Sequence, residues 1–130
     1  MMRIKKKFVC AGVVASLGDS VIGSTGAAAP NLFKVRTQYR GVSFSSGADG
    51  NWRGVTTLPN ILRVFNPGLR GGSVGTGGET EPGSGLNLAS PGATSRELVL
   101  QAQQLADRLA GTRDQVFYKL IGYQDFFTII

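Results

Sequence analysis

A chain of 130 residues, 42% of them apolar, has the length for one domain with a buried core. Of its formal charge of +6, Arg3, Lys5, Lys6 and Lys7 supply +4, and the +2 left over residues 8–130 is too little and too scattered for a nucleic-acid footprint. With no His and a single Cys, the sequence can assemble no Ser–His or Cys–His pair, no His-containing zinc site and no internal disulfide, and it calls for no metal or cofactor.

The start has two readings. A basic segment followed by the mostly apolar residues 8–17 (FVCAGVVASL) has the outline of a secretory signal, and by itself would describe a small secreted protein. The same run is also a first buried strand, rich in Val, bounded by Gly18 and too short to span a bilayer. The two exclude each other, because cleavage near Ala15 or Ser16 removes the strand. Cys10, inside the run, is expected as a small buried filler.

Residues 13–20 (VVASLGDS) end in a way that carries chemistry. An apolar strand that breaks at Gly-Asp-Ser delivers a hydroxyl to the carboxyl edge of a sheet, where open α/β folds keep their sites. Gly18 permits the sharp turn, and a helix opening after Ser20 would turn its free N–H groups toward a developing anion. Ser20 then has the position of a nucleophile. The plainer alternative is a strand, a turn and a helix cap, since Asp and Ser are common N-caps.

Residues 21–30 (VIGSTGAAAP) are a short helix or a loop. Residues 31–49 suit a long surface loop packed down by Phe33, Tyr39 and Phe44, with Trp52 beneath it or at its rim. Residues 56–65 (TTLPNILRVF) predict a helix with a Thr cap, Pro59 in the first turn and Leu58, Ile61, Leu62 and Phe65 on one face; Asn66-Pro67-Gly68 stops it. Residues 71–85 form a glycine-rich connector. Its Gly71-Gly72-Ser73-Val74-Gly75 matches a hydrolase elbow literally, but no apolar strand enters it and no helix leaves it. Without a Lys after the glycines it is not a phosphate loop.

Residues 86–89 (LNLA) are a short strand candidate ending in Ser90-Pro91-Gly92-Ala93. A helix follows, announced by the capping box Thr94-Ser95-Arg96-Glu97, with Leu98, Ala102, Leu105, Ala106 and Leu109 on one face and Gly111 as its cap. This second strand–turn–helix unit points to a parallel sheet carrying helices. Residues 116–121 (VFYKLI) enter a third strand, after which Phe126, Phe127, Ile129 and Ile130 lack anything downstream to cover them.

In order, Gly18-Asp19-Ser20 at a strand end, TQYRGVSFSSGAD (37–49), TLPNIL (57–62), FNP (65–67), SVGTG (73–77) and LNLASPGA (86–93) resemble the GDSL, or SGNH, lipase family, and within it the phospholipase B branch. The likeness runs from about residue 13 to residue 120. It implies an α/β fold: part of a flavodoxin-like, three-layer SGNH hydrolase domain with a truncated parallel sheet. It implies that Ser20 is the nucleophile, that its own N–H is one oxyanion donor, and that the N–H of Gly92 is another.

The sequence also departs from that pattern. Where the family continues into a Gly-x-Asn-Asp block, this chain reads Gly122-Tyr123-Gln124-Asp125, and the later block with an Asp and a His is not found; Val21 stands where the family name has Leu. The expectation is a single incomplete lipase-like domain over residues 1–130, family-like at 8–121 and divergent at 122–130. The implied activity is carboxylic ester hydrolysis of the phospholipase B/lysophospholipase type, on phospholipid or lysophospholipid esters, at the cell surface or secreted. Lacking the His, a triad member whose loss costs on the order of 10⁴-fold or more in kcat, the chain is expected to turn over little or nothing. The alternative is a non-catalytic fragment that binds lipid or another ligand. The branch's membrane association usually rests on a C-terminal anchor, which these residues do not contain.

Overall fold

Three consecutive residues, two of them β-branched, are almost wholly removed from solvent: Val13, Val14 and Ala15. They form β1 (Val13–Ala15), and a run without polar alternation suits a strand covered on both faces. The structure, a computed structural model, describes residues 12–111 and 127–129. Residues 8–11 of the expected first strand, Cys10, the expected third strand at 116–121 and the stretch 122–125 lie outside the described residues.

β1 is flanked by parallel partners. Along its length it pairs with β2 (Phe127–Ile129), Val13 opposite Phe127, Val14 opposite Thr128 and Ala15 opposite Ile129. The backbone groups of Gly12, Val14 and Ser16, which point the same way along the strand, go elsewhere. Val14 N–H donates to Arg70 O (2.9 Å) and Arg70 N–H to Gly12 O (3.1 Å), then Ser16 N–H donates to Leu86 O (3.0 Å) and Leu88 N–H to Ser16 O (2.9 Å). Residues 86–89, expected as a second strand, contribute one parallel bridge, Asn87 to Ser16. The reason is local: Asn87 N–H turns back to Ser84 O, and the Asn87 side chain accepts from Ala89 N–H.

Alternate side chains of β1 meet different helices. Val14 packs with Leu69 and with Leu62 of α1 (Leu58–Phe65), whereas Ala15 packs with Leu88 and with Leu105 of α2 (Glu97–Gly111). Since neighbouring strand residues face opposite ways, the two helices lie on opposite sides of β1. The architecture is a small mixed helix–strand unit built around one short buried strand.

Both helices start where the sequence indicates, and each buries only part of the face expected, Leu62 in α1 and Leu105 and Leu109 in α2. In α1 the Thr57 hydroxyl accepts from Asn60 N–H (3.3 Å), and Pro59 sits in the first turn. The buried residues are Pro59 and Asn60, while Ile61, Val64 and Phe65 are exposed. The Asn60 amide is drawn inward because it donates to Asp49 O and Val55 O, both at 2.9 Å. Ahead of α2 the Glu97 carboxylate accepts from Thr94 N–H (2.7 Å) and from the Thr94 hydroxyl. The inward seam of α2 runs through Gln101, Leu105 and Leu109, with Leu98, Ala102 and Ala106 outside it; Gly111 is the last helical residue.

Of the three rings expected to pin the long segment at 31–49, Tyr39 alone is half-buried. Phe33 and Phe44 are exposed, and Trp52 lies at the surface with the Arg53 guanidinium 5.1 Å over its ring. Polar side chains hold the segment instead. Arg40, 1% exposed, donates through Nε to Gly77 O (2.8 Å), through Nη1 to Asn87 O and Oδ1 (2.9 Å each), and through Nη2 to Ala89 O and Gln38 Oε1. Around it run buried hydroxyls: Ser16 to Ser45 (3.0 Å), Ser45 to Ser43 (3.2 Å), and Asn87 Nδ2 to Ser46 (2.7 Å). Each of these groups has a partner, which is the condition for a polar interior to be stable.

Candidate active site

The site begins where the ladder of β1 continues past the strand. Gly18 has φ +151°, and a Cβ there would come within 2.5 Å of Ile22 Cγ1, so the turn requires glycine. Both its backbone groups are held by one amide side chain: Gly18 N–H donates to Gln101 Oε1 (2.7 Å), and Gln101 Nε2 donates to Gly18 O (2.9 Å). Gly18 O also accepts from Ser90 N–H (3.1 Å). That bond extends the parallel pairing already made by Ser16 with Leu86 and Leu88. Two chain segments thus leave the carboxyl end of the pairing side by side, one toward Ser20 and the other toward Gly92.

Asp19 shapes the first of them. Its Oδ1 accepts from Val21 N–H (2.9 Å), and its carbonyl accepts from Gly23 N–H (3.0 Å). Ser20 O accepts from Thr25 N–H (2.9 Å). A succession of turns therefore follows Ser20, in place of the helix considered from the sequence, and Asp19 makes an Asx turn without capping a helix. Ser20 is half-buried. Among the described residues its hydroxyl makes no hydrogen bond, and its N–H goes to no backbone acceptor.

The second segment is a β-turn, with Ala93 N–H donating to Ser90 O (3.1 Å). Pro91 at its second position and Gly92 at φ +81° in its third are the type II arrangement. Gly92 is exposed, and its N–H is donated to no backbone acceptor among the described residues. The turn forms one wall of a cavity of about 230 Å³, completed by Leu88, Leu100, Gln101, Glu79 and Glu97. Ser20 is not among the residues lining that cavity.

Two residues that hold these segments were not evident from the sequence. Gln101 sits on the α2 seam four residues before Leu105, where the helical pattern asks for an apolar side chain, and that mismatch is the signal that marks it. Arg40 fixes the carbonyls of Asn87 and Ala89 just before the Gly92 turn, with Glu79 Oε2 3.5 Å from its Nη2. Burial draws the Arg40 guanidinium below its ordinary pKa; Glu79 opposes that shift and Arg108 adds to it. Ser73, the centre of the elbow-like motif, is structural. It is fully buried, donates to Ser84 O (2.8 Å) and lies 3.3 Å from the Ser46 hydroxyl.

Among the described residues no three His, Cys, Asp or Glu side chains are grouped to hold a metal ion, and no helix is long and apolar enough to cross a membrane. Over 97 residues, 73% of the chain, the sequence is 50% identical to phospholipase B1, membrane-associated, of Homo sapiens. Over 120 residues, 91% of the chain, it is 43% identical to the protein of that name in Mus musculus. The chain belongs to a phospholipase B-related family. The match to the phospholipase B1 of Rattus norvegicus is 48% over 99 residues. The chain spans 7% of the human and rat phospholipases and 8% of the mouse one. No protein-family model and no solved structure matches it.

Proposed function

We propose that this phospholipase B-related chain carries the nucleophile and two oxyanion donors of a GDSL-type carboxylic ester hydrolase, directed at phospholipid or lysophospholipid esters. The observation that carries the reading is the Ser90 N–H to Gly18 O bond at 3.1 Å, which ties the Ser20 turn to the Gly92 turn at the carboxyl end of a parallel pairing. The helices on opposite faces of β1 support a partial flavodoxin-like SGNH domain over residues 8–121. The names of the relatives include "membrane-associated", which supports a lipid substrate and a surface location.

In this reading Ser20 Oγ attacks the acyl carbonyl, and the oxyanion that forms is met by the N–H groups of Ser20 and Gly92. A donor of that kind is worth about 10²–10³-fold. A base must take the Oγ proton and return it to the leaving alcohol. The 130 residues contain no His, so turnover by this chain stands on the order of 10⁴-fold or more below that of a complete triad. Ligand binding without turnover is the second reading, favoured by the cavity beside Gly92 together with the absent imidazole.

The test is hydrolysis of a short activated ester and of a lysophospholipid by the purified chain and by Ser20→Ala. The proposal expects slow ester hydrolysis that Ser20→Ala abolishes. Equal rates in the two proteins would refute it, and saturable lysophospholipid binding with no hydrolysis would establish the second reading.

A further inference from the structure

Between Asp19 and Asp49 the sequence has no acidic residue, and in the middle of that stretch the chain projects a closed finger. Its base is fastened by Tyr39 N–H to Ser24 O (3.1 Å), Gly26 N–H to Thr37 O (2.8 Å) and the antiparallel bridge of Thr25 with Gln38. At the tip, Asn31 Oδ1 accepts from Phe33 N–H (3.1 Å), Lys34 N–H donates to Asn31 O (3.1 Å), and Thr37 N–H donates to Lys34 O (3.0 Å). The tip is therefore a formed 3-10 turn, Leu32–Lys34, whose backbone groups are largely satisfied from within.

This turn displays its apolar side chains outward. Phe33 is 96% exposed and Leu32 84% exposed, with Val35 beside them. Lys34 and Arg36 alternate with these residues and are also exposed. We infer that the finger is a membrane-interface anchor: Leu32 and Phe33 enter the acyl boundary of a bilayer while Lys34 and Arg36 stay at the level of anionic head groups. Three features select a lipid surface. Apolar tips flanked by cations, in a stretch of chain that has no acidic residue between Asp19 and Asp49, complement an anionic interface. The backbone bonds of Phe33 N–H, Lys34 N–H and Lys34 O within the turn lower the cost of carrying the tip into the acyl boundary. A small projecting tip is suited to penetration, where a second protein would need a broad surface. The finger springs from the turns that follow Ser20, since Thr25 N–H at its base bonds Ser20 O. The inference does not rest on Ser20 being a nucleophile.

The test is co-sedimentation of the full chain with phosphatidylcholine vesicles, with and without about 30% phosphatidylserine. Binding is expected to be stronger on the anionic vesicles and to weaken with salt. Leu32→Ser combined with Phe33→Ser should lower partitioning about tenfold or more. Lys34→Gln with Arg36→Gln should reduce binding on anionic vesicles toward the level on neutral ones. Ile61→Ser with Phe65→Ser, which removes two of the three exposed apolar residues of α1, should bind like the parent. Circular dichroism identical to the parent confirms that these surface variants are folded, and the parallel loss of binding in one pair only separates the finger from general stickiness. The proposal is overturned if the parent does not bind vesicles, if the finger variants bind as well as the parent, or if the α1 pair loses binding equally. It is overturned also if sedimentation velocity shows a self-associated chain that the finger variants return to monomer, since the tip would then be a protein contact.

Discussion

Gln101 offers the sharpest perturbation, because one side chain holds both backbone groups of Gly18. Replacing it by Leu keeps the volume near the core formed by Ala15, Leu88 and Leu105 but removes both hydrogen bonds, at 2.7 and 2.9 Å. Gly18 O retains Ser90 N–H, so the group left orphaned is Gly18 N–H. One lost partner for a part-buried donor costs about 1–3 kcal/mol, so Gln101→Leu is expected to destabilise the chain by about 2 kcal/mol. Gln101→Glu separates the two bonds. A carboxylate still accepts from Gly18 N–H but presents a second oxygen to Gly18 O, where a donor is required; the protonated acid supplies that donor. Burial and the facing carbonyl raise the folded-state pKa of the introduced Glu above its unfolded value. Stability is therefore fully present below the unfolded pKa and lost as pH rises through the folded one. Urea unfolding from acid to neutral pH reads this directly. Gln101→Glu should match the parent in acid and approach Gln101→Leu at neutral pH, and Gln101→Leu should remain destabilised throughout. A constant offset for Gln101→Glu, or a Leu variant as stable as the parent, would refute the two-bond account of how the Ser20 turn is held.

Other consequences follow from the same geometry. Arg40→Met leaves the carbonyls of Gly77, Asn87 and Ala89 without their buried donor; denaturant unfolding should show a loss of about 3–5 kcal/mol, a large part of the 5–15 kcal/mol typical of a domain. At Gly92 a Cβ meets nothing within 4 Å while φ is +81°. Gly92→Ala should therefore cost about 1 kcal/mol from backbone strain, and Gly92→Ser should cost the same in that assay. The bond from the Thr94 hydroxyl, then that from Thr94 N–H, holds the Glu97 carboxyl below its ordinary pKa. That contribution is present above the ordinary carboxylate range and is lost as pH falls through the lowered value. Titration of Glu97 by NMR should move back toward the ordinary value in Thr94→Val.

What the sequence disclosed and what it concealed divide along physical lines. The run at 13–15, the Thr57 cap, the Thr94–Glu97 turn and the stop after Phe65 depend on neighbours in the chain, and each was legible there. The inward faces of both helices were legible only in part: Leu62, Leu105 and Leu109 follow the apolar pattern, whereas Asn60 and Gln101 take core positions by hydrogen-bonding loop backbone outside their helices, at Asp49 and Val55 and at Gly18. The same cause hid the interior around Arg40. An apolar count favours Phe33 and Phe44 as anchors for the segment at 31–49, whereas the structure turns them out and buries Ser43, Ser45 and Ser46. A short strand candidate at 86–89 became one bridge because Asn87 bends its own backbone. At the candidate site the Gly18 turn and the Pro-Gly turn at 91–92 could be read from residue type, while their attachment through Ser90 and Gln101 could not.

The central claim is that Ser20 and Gly92 serve one oxyanion, and the most direct measurement is on a Ser20 adduct. The chain is reacted with a fluorophosphonate, the modified residue is located by mass spectrometry, and the amide protons are followed by ¹⁵N-resolved NMR. With no imidazole to take the Oγ proton, the account predicts slow phosphonylation at Ser20 under a large excess of reagent, with loss of fluoride, and a joint downfield movement of the Ser20 and Gly92 amide protons as both donate to the phosphonyl oxygen. Modification of another serine, or a Ser20 adduct that leaves the Gly92 amide unmoved, would contradict it.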